Sequence, residues 1–542
     1  MSARVLLVNP PFYRLLGSHY NANSLGIAYI ASYLNKHGHD AWLYNADFLN
    51  ETEFSNLKDL YDGFVDYKKF FENKNHPIWT EVVENIIKFN PEWVGYTSYT
   101  ANVSAIDIIS KKLKKSMPNV KQIIGGVHAT LDHDILNKLS GIDYSVQREG
   151  EKAMLSLVQN EPIEQISGVV SRSENKIINI GDADVNKSID DLPFPERDKF
   201  WNINDNEKSI IDVSYICSIR GCPYRCNYCA SPFHWKRDKT QYRSPESVLS
   251  EMRYLKNNYW NVNKIYDYSA SANADSKAKL KIKDNTIVYF VDDVFTVKKA
   301  RVKQILRMII EENLDMPWKC EARTDHLDEE ICELMREAGC VRGKLGFESG
   351  SDRILKQIQK DETKEDMLIG AKMLKDAKVP FTAYFMAGFP GETDDDLKET
   401  INFAQDIEAD FYSLSVLSPY YGTKMYFDLM DQGFELDKKP WEYFYHQTGD
   451  LMVNNTISND VLNEYLSLHY RTCLRTEPFW NSIEKFTEDE LIDRYKNIID
   501  SEPSEWRGFG GFLLSQSSRV INNRIMFDQK VASSIYDTLS KE

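Results

Sequence analysis

The chain has 542 residues, 42% of them hydrophobic, a length that allows three or four domains and an apolar content sufficient for real cores. Its formal net charge of −16, without a long basic tract, weighs against nucleic-acid binding, which depends on neutralising phosphates. No apolar stretch reaches the roughly 20 residues that cross a bilayer, and eight cysteines in so long a chain with no signal peptide argue for a reducing, cytoplasmic setting.

The chain opens on a buried-strand pattern, Val5 to Val8, followed by Asn9, Pro10 and Pro11. Leu25, Ala28, Tyr29 and Tyr33 recur at helical spacing and predict a helix over 24–36, closed by Gly38 in a left-handed cap. A second strand is expected over 41–45, then a polar, mostly helical insertion over about 50–90. Beyond it the pattern alternates: strand 93–98, helix 103–115, strand 120–125, helix 132–139, strand 143–146, helix 151–158. Short apolar strands alternating with helices mean a doubly wound parallel α/β sheet, whose ligands bind beyond the carboxyl ends of the strands.

Those ends carry Asn9 and Pro10, then Ser98 and Thr100, then Gly125, Gly126 and His128, then Glu149 and Gly150. Together with Ser24 and Leu25 at the start of the first helix, they resemble the Rossmann-like cobalamin-binding domain that precedes the barrel in one class of radical S-adenosylmethionine (SAM) enzymes. The resemblance implies that these residues bind cobalamin. The two glycines would let a flat corrin approach the backbone, and Ser98 and Thr100 would hydrogen-bond its tail or amides. The plainer reading is a sheet of this kind with no ligand, or with a different nucleotide. No Gly-x-Gly-x-x-Gly follows the first strand, which disfavours NAD and FAD. The Asp-x-His-x-x-Gly motif that supplies a histidine to cobalt in mutases is also absent, so no histidine is expected beneath the metal. His128, His37 and His39 are possible exceptions, though each reads more simply as a loop histidine.

A hairpin and then a linker are expected over 161–205, the linker marked by Pro193 and Pro195. From 210 the alternation restarts. Strands are predicted over 210–217, 286–292, 318–323, 343–347, 381–387 and 411–417, with helices over 302–313, 328–338, 364–377 and 394–407 between them.

Just past the first of these strands stand Cys222, Cys226 and Cys229, spaced Cys-x3-Cys-x2-Cys. Three thiolates on one short loop can hold three corners of a 4Fe–4S cubane and leave one iron open. The bland alternative is zinc, with Cys217 as fourth ligand, but only one Cys-x2-Cys pair is present. Cys320, Cys332, Cys340 and Cys473 read as buried thiols. The spacing, the Arg220 and Gly221 before it and Tyr228 within it resemble the signature of the radical SAM enzymes.

That resemblance implies a partial (β/α)6 barrel over 206–435, following the domain over 1–160. It implies that the open iron chelates SAM, and that an external one-electron reductant such as flavodoxin or ferredoxin supplies electrons. By position along the barrel it assigns Asp292 and Asp293 to the SAM amino group, Arg323 to its carboxylate, Glu348 to the ribose, and Gly388 to the adenine side, with Tyr228 beside them.

Two stretches are less legible. Residues 261–285 read as a mobile polar loop. Residues 436–542 read as a mostly helical region, rich in aromatics, that closes the bottom or side of the barrel. The expected function is a cobalamin-dependent radical SAM methyltransferase acting on an unactivated carbon of a small molecule, through a 5′-deoxyadenosyl radical and methylcobalamin. An oxidative cyclase, a ring-contracting enzyme or another rearrangement on the same cofactors is the alternative. A radical SAM enzyme without cobalamin, and a cobalamin-binding sensor, are more distant readings. A methylthiotransferase is disfavoured, because residues 1–200 hold no cysteines for a second cluster.

Overall fold

A computed structural model describes residues 2–16, 22–49, 67–173, 176–179, 181, 188–204, 211–235, 240–259, 265–268, 280–283, 287–445, 451–458, 460–462 and 464–465. The expectations for residues 50–66 and 466–542, Cys473 among them, lie outside these.

The N-terminal strands are β1 (Arg4–Asn9), β2 (Asp40–Asn45), β3 (Trp93–Ser98), β4 (Lys121–Gly126) and β5 (Tyr144–Val146). They run parallel in the order β2-β1-β3-β4-β5. Alternate residues of β1 enter different cores: Leu6 and Val8 join one, Val5 and Leu7 the other. This is why the sequence reads as an unbroken apolar run rather than an alternation. Helices α1 (Leu25–Lys36), α2 (Pro77–Phe89) and α3 (Val103–Ser116) cover the sheet, α1 on the Val5 side and the other two on the Leu6 side.

The helix expected over 132–139 is shorter than that, and an unexpected helix precedes it. Helix α4 (Val127–Leu131) starts directly at the end of β4 and α5 (Ile135–Lys138) follows. Asp132 separates them, its carboxylate turned in toward Lys138 at 2.6 Å. Helix α6 (Glu151–Val158) leads to a hairpin, β6 (Val169–Ser173) and β7 (Lys176–Asn179), which pairs antiparallel onto β5. The sheet is therefore seven-stranded with an antiparallel edge.

The linker clasps both halves of the protein. The Glu196 N–H donates to the Ala28 carbonyl of α1 at 3.0 Å, and the Arg197 guanidinium donates to the carbonyls of Val213 and Tyr215 at 2.9 and 3.0 Å.

The second sheet contains β8 (Tyr215–Ile216). The hairpin β9 (Ile219–Arg220) and β10 (Gln241–Tyr242) stands apart from it, as does a second antiparallel pair, β11 (Ile265–Tyr268) and β12 (Leu280–Lys283), inside the stretch expected as a loop. Then come β13 (Val288–Phe290), β14 (Trp318–Ala322), β15 (Cys340–Glu348), β16 (Phe381–Ala387) and β17 (Phe411–Val416). The six strands β8, β13, β14, β15, β16 and β17 pair in sequence order, all parallel, as the partial barrel requires. Between them lie α7 (Ser231–His234), α8 (Pro245–Asn258), α9 (Lys299–Glu311), α10 (Glu329–Glu337), α11 (Asp352–Gln357), α12 (Lys364–Asp376) and α13 (Asp394–Ile407), with α14 (Lys424–Asp431) after β17. Their apolar faces bury Phe290, Trp318, Leu345, Phe347, Phe381 and Phe385 in one core with Cys320, Cys332 and Cys340.

The described part of the C-terminal region lies elsewhere than expected. Tyr445 packs edge-on against Phe12 at 5.0 Å in the N-terminal domain. Asn454 donates to the carbonyls of Phe389 and Glu392 at 2.6 and 2.8 Å, beyond the carboxyl end of β16. The segment therefore covers the mouth of the barrel and its seam with the first sheet, because its aromatic and amide groups find partners there. Among the described residues no helix is long and apolar enough to cross a membrane.

Candidate active site

The cysteine loop is built by the turn between β8 and β9. Asp292, just past β13, makes that turn: its Oδ1 accepts the N–H of Ser218 at 2.6 Å and of Ile219 at 2.8 Å, and its Oδ2 accepts the Ser218 hydroxyl. Burial outweighs these bonds and pushes the carboxyl up to about 6. β9 then delivers the chain to Cys222.

Cys222 and Cys226 are buried and Cys229 is half-buried. Burial pushes the Cys222 thiol up to about 11 and raises the other two, and the proximity of Cys226 raises both Cys222 and Cys229 further. The N–H groups of Tyr224 and Ser231 are aimed at Cys222 and Cys229 and act in the opposite sense. Buried thiols of this kind stay protonated until a metal displaces the proton, and N–H donors on sulfur then tune the cluster. This donor set fits a cubane. Among the described residues no three His, Cys, Asp or Glu side chains gather to hold a single metal ion. The Cys217 thiol is turned away into a contact with the Ile219 carbonyl at 3.2 Å.

The other expected SAM residues surround this loop in unequal condition. Asp292 is 1% exposed with both oxygens engaged by Ser218, so it presents no open carboxylate, unlike its neighbour Asp293. That neighbour is exposed, takes the Ser231 hydroxyl, and lies close enough to raise Cys222 and Cys229. Arg323 is committed to the protein: it pairs with Asp325 at 3.0 Å and Glu362 at 3.3 Å and lies 3.6 Å over the Tyr224 ring. It braces the cysteine loop at Tyr224 rather than presenting a free cation.

Glu348 ends β15 at a break in register, with φ 63°, a left-handed conformation uncommon for a non-glycine residue. Its carboxylate hydrogen-bonds Tyr228 and lies 3.6 Å from the Lys360 ammonium. Gly388 follows β16 with φ 90°, and its N–H donates to Glu392 at 2.7 Å. Burial pushes the Glu392 carboxyl up to about 7.

All of the expected cobalamin residues lie at or beside the carboxyl ends of the first sheet. Several are occupied. Asn9 bonds Asn45 at 3.0 Å, Ser98 donates to the Gly125 carbonyl at 2.7 Å, and Thr100 meets His128 Nδ1 at 3.1 Å. Burial lowers the His128 pKa, which keeps the ring neutral between Thr100 and Asp132. Glu149 turns to Arg220, and a side chain at Gly150 would strike Ile30 at 2.8 Å, so close packing is what that glycine serves. Pro10 is buried beside Asn9.

What remains open suits a ligand. Leu25, Gly125 and Gly126 are part-exposed. Gly126 has φ 94°, and a Cβ there would come within 2.8 Å of the Ser98 backbone. The Ser24 hydroxyl, buried at the start of α1, has no hydrogen-bond partner. A buried unsatisfied hydroxyl where the first helix starts, past the carboxyl end of β1, is the kind of group a bound corrin amide would satisfy.

The two sets of strand ends face each other. The Gly422 loop after β17 packs on α4 so closely that a Cβ would fall 2.6 Å from Leu131. The His128 ring lies 5.1 Å from Tyr421.

Sequence reasoning missed Lys360, Glu362 and Tyr465. Lys360 is 4% exposed between Glu348 and Glu362, in a turn whose flanking Gln359 and Asp361 both have positive φ. A polar loop after a short helix gave no signal for it. Tyr465, fully buried, donates to the Ser415 carbonyl at 3.4 Å, an arrangement that long-range packing alone creates.

Comparison with known proteins agrees with this geometry. The radical SAM superfamily is matched over residues 216–404, and the B12 binding domain over residues 16–158. An uncharacterized methyltransferase of Pyrococcus horikoshii is 26% identical over 432 residues, covering 78% of this chain and 82% of the relative. The anaerobic magnesium-protoporphyrin IX monomethyl ester cyclase of Rubrivivax gelatinosus is 24% identical over 434 residues, 77% of this chain and 71% of the relative. Among solved structures, TsrM of Kitasatospora setae with cobalamin and a [4Fe–4S] cluster superposes with a TM-score of 0.61 at 15% identity, covering 96% of this chain and all of that one. OxsB with aqua-cobalamin and SAM gives 0.62 at 15% identity, covering 99% and 78%.

Proposed function

Because this chain belongs to the cobalamin-dependent radical SAM enzymes, with a [4Fe–4S] cluster, SAM and cobalamin as its cofactors, we propose that it is a methyltransferase acting on an unactivated carbon of a small-molecule substrate. The observation that carries this reading is the facing of the two sheets. The carboxyl ends of both converge on one seam, so one substrate can be reached from the cluster side and the corrin side. The methyltransferase relative supports it.

When bound, the cluster and SAM supply a 5′-deoxyadenosyl radical that removes a substrate hydrogen, and the corrinoid supplies the methyl group. The rest is positioning by this chain. Cys222, Cys226 and Cys229 hold the cluster. Asp293, exposed at the loop, accepts from the SAM amino group. Glu348 takes the ribose hydroxyls, kept in place by Tyr228 and Lys360. Asp292 and Arg323 fix the shape of the cysteine loop. Asn454 and its neighbours close the mouth over Gly388 and exclude water. Leu25, Gly125, Gly126 and the free hydroxyl of Ser24 seat the corrinoid. An external reductant such as flavodoxin or ferredoxin supplies the electrons.

Methyl-labelled SAM tests the reaction. A methyltransferase using two SAM molecules per turnover yields one S-adenosylhomocysteine and one 5′-deoxyadenosine, with label in the product. The cyclase relatives favour a second reading, oxidative ring formation without methyl transfer. It would give 5′-deoxyadenosine with little S-adenosylhomocysteine and an unlabelled product.

A further inference from the structure

Loop 148–151, which runs from just past β5 into the first residue of α6, touches both flanks of the cysteine loop. Ahead of Cys222, the Arg220 guanidinium bridges Glu149 at 3.0 Å and Glu151 at 2.6 Å. All three side chains are under a tenth exposed. Gln241, on the strand paired with Arg220, donates to the same Glu149 oxygen at 3.0 Å. Behind Cys229, the Arg148 guanidinium donates to the carbonyl of His234 at 2.6 Å and of Phe233 at 3.4 Å, closing α7.

The loop is tied as firmly to the glycine ledge of the first sheet. The Arg148 N–H donates to the Thr130 hydroxyl at 2.8 Å, and that hydroxyl donates to the Gly126 carbonyl at 2.9 Å. Arg148 itself has φ 62°. A continuous hydrogen-bonded path therefore runs from Gly126 through Thr130 and Arg148 to α7. Loop 148–151 carries the path on through Glu149 and Glu151 to Arg220, two residues from Cys222.

We propose that loop 148–151 is a positioning element that couples the corrinoid seat to the cluster loop, with Arg220 as its contact on the barrel side. A planar guanidinium holding two buried carboxylates fixes orientation as well as distance. A shift of the Gly126 ledge when corrinoid binds is then carried to both ends of the cysteine loop. Such coupling is reciprocal: the cluster alters corrinoid affinity by the same factor that corrinoid alters the cluster. The inference needs both cofactors but not methyl transfer, so it stands or falls separately from the reaction assigned above.

The test uses the full chain and hydroxocobalamin, titrated by absorbance with the cluster reconstituted and with it removed by chelation. The two affinities of the unaltered protein should differ roughly fivefold or more, the lower end of ordinary coupling. The Mössbauer spectrum of the oxidised cluster, which has no electron to give to the cobalt, should change when hydroxocobalamin is added. In Arg220→Gln and in Glu151→Gln the ratio should fall toward one, and the spectrum should no longer respond, while the iron content is kept. If Arg220→Gln fails to take up iron, Glu151→Gln decides, since it lies in the other domain and leaves Arg220 its bond to Glu149. A ratio near one in the unaltered protein, or an unchanged ratio in Glu151→Gln, overturns the proposal.

Discussion

Glu348 occupies a backbone conformation that costs of order 1–3 kcal/mol for a side chain of its kind, at a break in the register of β15. That conformation turns the carboxylate to Tyr228 and Lys360 beside the cysteines. Hydrogen bonds to charged groups contribute roughly 1.5–3 kcal/mol. Glu348→Ala should therefore weaken SAM binding about tenfold or more with iron content unchanged, as equilibrium dialysis would measure; wild-type affinity would move the SAM site elsewhere. The cysteines make a sharper comparison. Ala at Cys222, Cys226 or Cys229 should abolish the roughly four irons of one cubane, whereas Cys217→Ala should keep them, because that thiol is engaged with the Ile219 carbonyl. Equal loss of iron in all four variants would show the ligand set to be misassigned.

At the scale of elements, polar side chains rather than apolar packing tie the loops to the sheets. Arg197 of the linker and Arg243 of the barrel share Glu251 on α8, all three nearly or fully buried. Removing one partner of a buried ion network typically costs about 3–5 kcal/mol. Glu251→Ala should accordingly lower the unfolding temperature markedly, and a change within experimental error would show that the arginines find other partners. The loop after β2 carries a pH dependence. Asp47 accepts the N–H of Phe12 at 2.7 Å and of Arg14 at 3.0 Å, and burial raises its pKa to about 6. A carboxyl whose folded pKa is raised binds more protons folded than unfolded. Stability from this group is thus present at low pH and lost as pH rises from about 4 to 6, by at most about 3 kcal/mol. Asp47→Asn keeps the acceptor and cannot ionise, so its unfolding curve should be flatter across that window. An identical slope in both proteins would place the titration elsewhere.

At the scale of the whole molecule, four stretches hold the sheets in register: the linker, loop 148–151, the Gly422 loop and the segment after α14. In the last of these, Ser104 donates to Glu442 at 2.5 Å, Tyr67 donates to the Glu442 carbonyl at 2.8 Å, and Tyr445 fills a place in the N-terminal core. Truncating a buried aromatic costs roughly 3–5 kcal/mol. Tyr445→Ala should therefore loosen the seam and shed corrinoid faster on gel filtration, while the cysteines still hold iron. Undiminished retention would mean that the linker, loop 148–151 and the Gly422 loop suffice.

What the sequence determined by itself was whatever local spacing can encode. The apolar runs of β3, β16 and α13 fall where periodicity puts them, and the Cys222, Cys226 and Cys229 spacing names its own chemistry, because three ligands on one loop need no distant partner. Residues whose roles depend on a partner far along the chain were not legible in this way. Asp292 reads like Asp293 in sequence, yet 74 residues separate it from the Ser218 N–H that occupies it. Glu149 reads as a strand-end ligand, and Arg220 claims it. The C-terminal aromatics give the same composition whether they close the bottom of a barrel or its mouth. Burial decides such cases: a carboxylate out of water takes whichever donor the fold brings within reach, and only the tertiary structure says which donor that is.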